Sequence, residues 1–422
     1  MATKMNYSRL SARGSSNIQS ITPSIGVRTI ESPSPDPFDI DLSADENCLL
    51  RDELADICKT AVNDGLHSQH FSHSQGFAGE PTLLESLAQL FNNYFNPCIP
   101  VQPHHLVAAP GAKSCLDALL YNICDPEDGV LVPGPLWSGY EVKFRARSSV
   151  RPVLVNTEKF TDIFTMNLIP KLGEVMDKAT CRIRALILTN PHNLFGQCYP
   201  QEVLEACLKF CQQRDIHFIS DEVYAMTGFS CAEITNPVPF ISALSLDTHA
   251  LRCDRSRIHT IWSISKDFGA SGFRVGCIVS QDNRELNVGL ALACNGQVSS
   301  LSAIFTTTLL SSPTLPFLVA LNSARLAESY IFITSFFIRY QIEYIPVNAG
   351  LNIFARLDPE AKTWEDESAL ITKLKDAGVL VKGGGSYHGI QMEKGWVRIS
   401  FALEEHRLRE ALCRIERALD LE

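Results

Sequence analysis

Lys266 is the residue on which chemistry can be built. It stands in the run Ser263-Ile264-Ser265-Lys266-Asp267-Phe268-Gly269-Ala270-Ser271-Gly272-Phe273-Arg274-Val275-Gly276. A lysine amine forms imines with aldehydes once its surroundings favour the neutral form. Ser263, Ser265 and Arg274 supply hydroxyls and a guanidinium fork, the groups that hold a phosphate dianion. Gly269, Gly272 and Gly276 let the backbone pass close to a ligand. Together these types suit a phosphorylated aldehyde held beside a lysine. The plain alternative is a Ser/Lys/Gly loop with no ligand.

Three further groups have types and places that suit a ligand site. Pro110-Gly111-Ala112-Lys113 turns from an apolar run into an amphipathic helix. Free N–H groups at such a helix start point at an anion. Asp221 ends the apolar run 216–220, and a carboxylate at the C-terminal tip of a strand points into the crevice of an α/β sheet. Arg398 lies inside the apolar run 396–402, where a buried cation needs an anion.

The elements that must position these groups alternate. Strands are expected at 106–109, 130–132, 183–188, 216–220 and 258–261, with helices between them, which is the pattern of an α/β fold. A long helix near 321–337 leads to further strands at 353–357, 379–381 and 396–402. The expected division is an N-terminal arm with a small-domain segment (1–60), a large domain (61–320) and a small C-terminal domain (321–422). Residues 1 to about 35 read as an irregular arm that ends in Ser32-Pro33-Ser34-Pro35-Asp36-Pro37. Residues 287–310 read as one helical stretch.

The totals narrow the class. The chain has 422 residues and a formal net charge of −10, which argues against nucleic acid as the main partner. No uninterrupted run of about twenty apolar residues marks a membrane span. The 14 cysteines are scattered and include no Cys-x-x-Cys pair, so buried, reduced thiols are expected. Before Glu31 the chain has Lys4, Arg9, Arg13 and Arg28, many serines and no acid. A transit peptide has that composition, but no clear apolar face accompanies it, and a flexible arm on a cytoplasmic enzyme is the reading preferred. His67, His70 and His73 have a metal-like spacing, but no carboxylate or cysteine stands close.

In their order and spacing these motifs resemble the fold-type I enzymes that use pyridoxal 5′-phosphate (PLP), the aspartate aminotransferase superfamily. The resemblance runs from about residue 38 to 420. It implies a large domain with a mostly parallel seven-stranded sheet between helices, plus a smaller α/β domain. By position it implies that Lys266 carries the PLP aldehyde. The backbone amides of Ala112 and Lys113 hold its phosphate, with Ser263, Ser265 and Arg274. Trp137, in Pro133-Gly134-Pro135-Leu136-Trp137, stacks on the ring. Asn193 and Tyr224 bind the 3′ oxygen, Asp221 the ring nitrogen, and Arg398 the substrate α-carboxylate. Members are homodimers, and Ser299-Ser300 match a segment that approaches the neighbouring site.

One branch is especially similar, the 1-aminocyclopropane-1-carboxylate (ACC) synthases. Their Ala-Glu-Asn stretch appears here as Asp45-Glu46-Asn47, which implies that Glu46 faces the substrate. Acids at a helix start are the bland alternative. The family loop that carries a tyrosine to the partner subunit matches the stretch before Gly76-Phe77-Ala78-Gly79, but His73 and Ser74 stand where that tyrosine would be. This departure places an aminotransferase or a carbon–sulfur lyase of the branch, some members of which serve fungal secondary metabolism, ahead of ACC synthesis. A PLP-fold protein without catalysis would be expected to have lost part of this set. A metal enzyme built on the three histidines ranks last.

Overall fold

The computed structural model describes residues 10–25, 38–137, 139–388 and 394–421. Its larger sheet has seven strands: β1 (Leu106–Ala109), β2 (Gly129–Pro133), β3 (Arg151–Val155), β4 (Ile183–Thr189), β5 (His217–Asp221), β6 (Ile258–Ser263) and β7 (Gly276–Val279). Their spatial order is 1-7-6-5-4-2-3. Strands β6, β5, β4, β2 and β3 are parallel, and β7 alone runs against its neighbours β1 and β6. The mostly parallel seven-stranded sheet is as expected.

The inner strands are apolar along both faces, because helices cover both. Successive side chains alternate between the two layers. Ile187, Ile219 and Ile261 pack with helices Ala112–Ile123 and Arg284–Cys294. Leu186, Leu188 and Phe218 pack with helices Leu168–Lys178 and Gln201–Arg214. One consequence sets up the site. The C-terminal ends of β1, β4, β5 and β6 share an edge with the N-terminal end of β7, as the pairings Ala109–Gly276, Ser263–Gly276 and Thr189–Asp221 record.

A second sheet pairs Glu343–Ile345, Asn352–Arg356, Trp396–Ser400 and Lys382–Gly383, all antiparallel. Helix Glu405–Leu419 covers it with Leu408, Ala411, Leu412 and Ile415, the three-to-four spacing of a helix with one apolar face. Helix Trp364–Asp376 starts on a capping box between Thr363 and Asp366. Ile40–Asp41 joins this region by pairing in parallel with Val379–Leu380. Helices Arg51–Gly65 and Leu315–Arg339 run unbroken through residues 60–61 and 320–321.

Two expectations change. Part of the arm is helical, over Ala12–Ile25. Gly14, Pro23 and several serines give it little helix propensity. It rests on packing instead, beside helix Gly139–Ala146, where Asn17 Nδ2 donates to the Ala146 carbonyl at 2.5 Å. The Ser32–Pro37 stretch lies outside the described residues. Residues 287–310 form parts of two helices, Arg284–Cys294 and Ser300–Leu310. The break holds Gly296 at φ +66°, and the Ser299 side chain caps the second helix by accepting from the N–H of Ser302. Among the described residues no single helix is long and apolar enough to cross a membrane.

Candidate active site

The shared edge of the large sheet opens into a cavity of about 490 Å³, a size that suits a small ligand. Ala112, Lys113, Asn193, Asp221, Tyr224, Ser263, Ser265, Lys266, Arg274, Arg398 and Glu46 all line it. The structure therefore brings together every site residue expected from the sequence whose side chain it describes. Trp137 lies in a short strand, Leu136–Trp137, paired with Tyr387–His388. Its side chain lies outside the described residues. His73 and Ser74 line a separate groove, and His70 Nδ1 accepts from the N–H of His67 at 2.9 Å.

At one end, the turn after β1 sets Gly111 at φ +82° ahead of helix Ala112–Ile123. A Cβ on Gly111 would come within 2.5 Å of Arg274 Nη2, and one on Gly276 within 2.7 Å of the Gly111 carbonyl carbon. Bare glycines at both places let the arginine and the helix start converge. Arg274, itself at φ +55°, donates to the carbonyls of Ser271 at 2.7 Å and Pro110 at 2.8 Å. Burial first, and then the nearby cations Lys143, Lys266 and Arg274, push the Lys113 ammonium down from its ordinary value.

At the middle, β5 delivers two adjacent acids to opposite sides. Asp221 faces the cavity. Glu222 faces away, accepting from the hydroxyls of Ser220 and Ser242 at 2.7 Å each and from the N–H of Ala243 at 2.8 Å. Burial pushes Asp221 up to about 6, against the hydrogen bonds of Tyr140 and the Val223 N–H and the charge of Lys266.

At the other end stands Asp45, which no local pattern marks as central. Its Oδ2 lies 3.1 Å from Lys266 Nζ and accepts from the Tyr224 hydroxyl. Its Oδ1 accepts from Asn352 Nδ2 at 2.5 Å and lies 3.7 Å from Arg398 Nη1. Burial pushes this carboxyl up, but Lys266, Arg398, Tyr224 and Asn352 outweigh burial and hold it well below the usual carboxylate range. Asn193 Nδ2 donates to the Tyr224 hydroxyl at 2.6 Å, and Arg398 Nη1 donates to Asn193 Oδ1 at 3.4 Å. Arg398 is 2% exposed, and its Nη2 donates to the Ser43 carbonyl at 2.9 Å. Glu46 Oε2 accepts from the Ser271 hydroxyl at 2.6 Å.

Whether these residues suit PLP can be judged from what they lack. Asp221 Oδ1, Ser263 Oγ and Arg398 Nε are buried, and among the described residues none has a hydrogen-bond partner. Each such group costs about 1–3 kcal/mol if left unmet. A protonated ring nitrogen would answer Asp221, a phosphate would answer Ser263, and a substrate carboxylate would answer Arg398. The donor set fits the cofactor and an amino acid together.

Several neighbours of the site were not singled out from the sequence. Tyr140 bonds Asp221, and Asn352 bonds Asp45. Lys382 lines the cavity, and burial, then Arg398, pushes it down to about 8. The ring of Tyr387 lies 5.9 Å from the Arg398 guanidinium carbon. Two of them have a usable signal in the sequence: Tyr140 follows Pro133-Gly134-Pro135-Leu136-Trp137 by three residues, and Tyr387 ends the glycine run Gly383-Gly384-Gly385-Ser386.

A doubly wound sheet whose strand ends gather a lysine, an aspartate and an anion-binding helix start defines a PLP-dependent enzyme of fold-type I. The chain belongs to the aminotransferase class I and II family, whose model matches residues 39–415. It is 50% identical over 410 residues to "Probable aminotransferase aclI" of Aspergillus oryzae, covering 97% of this chain and 98% of that one. It is 27% identical over 383 residues to 1-aminocyclopropane-1-carboxylate synthase 2 of Solanum lycopersicum, covering 89% and 77% respectively. Among solved structures, a single mutant of Thermus thermophilus aspartate aminotransferase superposes with a TM-score of 0.75 at 21% identity, over 97% of this chain and 99% of that one. That last likeness speaks to the fold alone.

Proposed function

We propose that this enzyme takes the α-proton from an amino acid or an amino-acid conjugate and then follows one of two courses. It transfers the amino group, or it breaks the carbon–sulfur bond of a cysteine-type conjugate. One observation carries the reading: Lys266, Asp221 and Arg398, from three distant parts of the chain, line one cavity.

PLP, when bound, supplies an electron sink for the pair left at Cα. The chain's own residues do the rest. Arg398 orients the substrate carboxylate with its guanidinium fork. Asp221 keeps a proton on the ring nitrogen. Asn193 and Tyr224 hold the 3′ oxygen, and Trp137 is assigned to the ring face. The amides of Ala112 and Lys113, with Ser263, Ser265 and Arg274, hold the phosphate. Lys266 Nζ takes the α-proton and returns it, either to carbon or to a leaving group. Glu46 is assigned to the substrate side. A homodimer with shared sites in the cytoplasm, in fungal secondary metabolism, completes the reading.

The test is product identity. Purified enzyme is given cysteine S-conjugates, an amino acid with a 2-oxo acid, or S-adenosylmethionine. Pyruvate with free thiol marks the lyase, a new amino acid the aminotransferase, and ACC the synthase reaction that the reading ranks lower. A Lys266→Ala enzyme that works at full speed, or a wild type that takes up no PLP, overturns the reading.

A further inference from the structure

Three consecutive residues are laced to the segment that carries Lys266. The Asp45 carboxylate lies 3.1 Å from Lys266 Nζ, and the Asp45 carbonyl accepts from the same nitrogen. Glu46 accepts from the Ser271 hydroxyl. Asn47 Nδ2 donates to the Lys266 carbonyl at 3.2 Å and to Asn322 Oδ1 at 2.9 Å. Gly269 passes so close that a Cβ there would sit 2.0 Å from the Asn47 carbonyl oxygen. Asp45 is thus held in place from both sides. Its Oδ1, fixed by Asn352, stands 3.7 Å from Arg398 Nη1. The cavity therefore presents a carboxylate and a guanidinium side by side.

An α-amino acid has the complementary pair, an ammonium and a carboxylate one carbon apart. We propose that Asp45 is a specificity-determining residue that, with Arg398, recognises the substrate as a zwitterion. Arg398 takes the carboxylate and Asp45 takes the ammonium. A primary ammonium is the group Asp45 already holds in Lys266, and the substrate nitrogen must come to the same place. The inference rests on the assignment of Lys266 and Arg398 under Proposed function, and it narrows that assignment to a substrate class.

The same geometry works against a ligand that has a carboxylate but no ammonium. Such a ligand brings a second negative charge near Asp45 without an ammonium of its own to offset it, and like charges at close range repel. A 2-oxo acid is such a ligand, and transamination requires one as its second substrate. Elimination does not. In elimination the Cα–H and Cβ–S bonds break, and sulfur leaves with the electron pair and takes up a proton. A cysteine conjugate and one water then give a thiol, pyruvate and ammonia.

The test uses PLP-loaded enzyme and two ligands with one carbon skeleton, 2-aminoisobutyrate and isobutyrate. Their dissociation constants are measured by calorimetry for wild type, Asp45→Asn, Asp45→Ala and Asp45→Glu. Comparing ratios between proteins cancels any gain the amine draws from the cofactor itself. The ratio favouring the amino acid should fall at least about tenfold in the Asn and Ala variants, chiefly because isobutyrate binds more tightly, and Asp45→Glu should restore part of it. A ratio unchanged on removing the carboxylate overturns the role of Asp45. If the variants do not fold, a wild type that binds isobutyrate as tightly as 2-aminoisobutyrate overturns it equally. Either result in a PLP-loaded protein leaves the wider functional reading standing. A protein that takes up no PLP undoes that wider reading instead.

Discussion

The Tyr140 hydroxyl lies 3.1 Å from Asp221 Oδ2 and 2.9 Å from Thr189 Oγ1. It ties the ends of β4 and β5 to helix Gly139–Ala146 and holds Asp221, the acid proposed to meet a ring nitrogen. Burial pushes the Asp221 carboxyl up, and the Tyr140 hydrogen bond opposes that rise.

Replacing Tyr140 with Phe removes this opposition. Asp221 should then hold its proton to higher pH than in wild type, and a neutral acid no longer favours a protonated ring nitrogen. The acid limb of the kcat/KM profile should move to higher pH, with a loss of about tenfold near neutrality. An acid limb identical to wild type, measured from pH 5 to 9, would show that Tyr140 has no part in setting Asp221.

Arg398→Lys keeps the charge but not the fork. The two parallel hydrogen bonds to a carboxylate are lost, and Asp45 loses its planar neighbour. Amino-acid dissociation constants should rise about 10- to 100-fold while PLP uptake holds. Direct titration of the loaded variant checks this, and unaltered affinity would remove Arg398 from substrate binding.

Gly269 has φ +71°, and its Cα faces the Asn47 carbonyl. Gly269→Ala should force the lysine segment away from residues 45–47. We expect a loss of about 1–3 kcal/mol in denaturant midpoint experiments, with weaker retention of PLP. A variant as stable as wild type would mean that the two segments separate freely.

Asp267 is the next residue after the lysine and is 1% exposed. Trp262 Nε1 donates to its Oδ2 at 2.7 Å and the Met226 N–H to its Oδ1 at 3.0 Å, yet burial outweighs both and pushes the carboxyl up to about 8. Below about pH 4 the folded and unfolded chains both hold the proton, and its contribution to stability is complete. As pH rises toward 8 only the unfolded chain releases it, so stability falls by roughly 1.4 kcal/mol per unit. Asparagine has no such slope. Urea unfolding of Asp267→Asn and wild type at pH 5 and 8 should move in the variant's favour by roughly 4 kcal/mol. A difference independent of pH would contradict a raised Asp267.

What could be read from the sequence follows from range. Lys266, Asn193 and Asp221 each sit just past an apolar run that ends at the shared edge of the sheet, so a short window holds both the strand and the reactive group. Asp45 has no such window. Its partners Lys266 and Asn352 lie 221 and 307 residues away, and before folding it is one acid in a turn. The Ala12–Ile25 helix is not legible for a related reason, since its support comes from packing beside residues 139–146 and not from its own residues. Trp137 and Tyr140 share one stretch, yet only the ring with a familiar role was singled out.

The pairing of Ile40–Asp41 with Val379–Leu380, and of the Ser43 carbonyl with Arg398, joins points up to 355 residues apart. On the ribosome, the residues that flank Asp45 must wait for their partners until residues 379–398 have emerged. A nascent chain halted after β7 would own its lysine and its aspartate, yet it could not close the pocket over an amino acid. Ribosome-bound chains released at successive lengths should therefore acquire substrate recognition late and in a single step, once residue 400 is free of the exit tunnel.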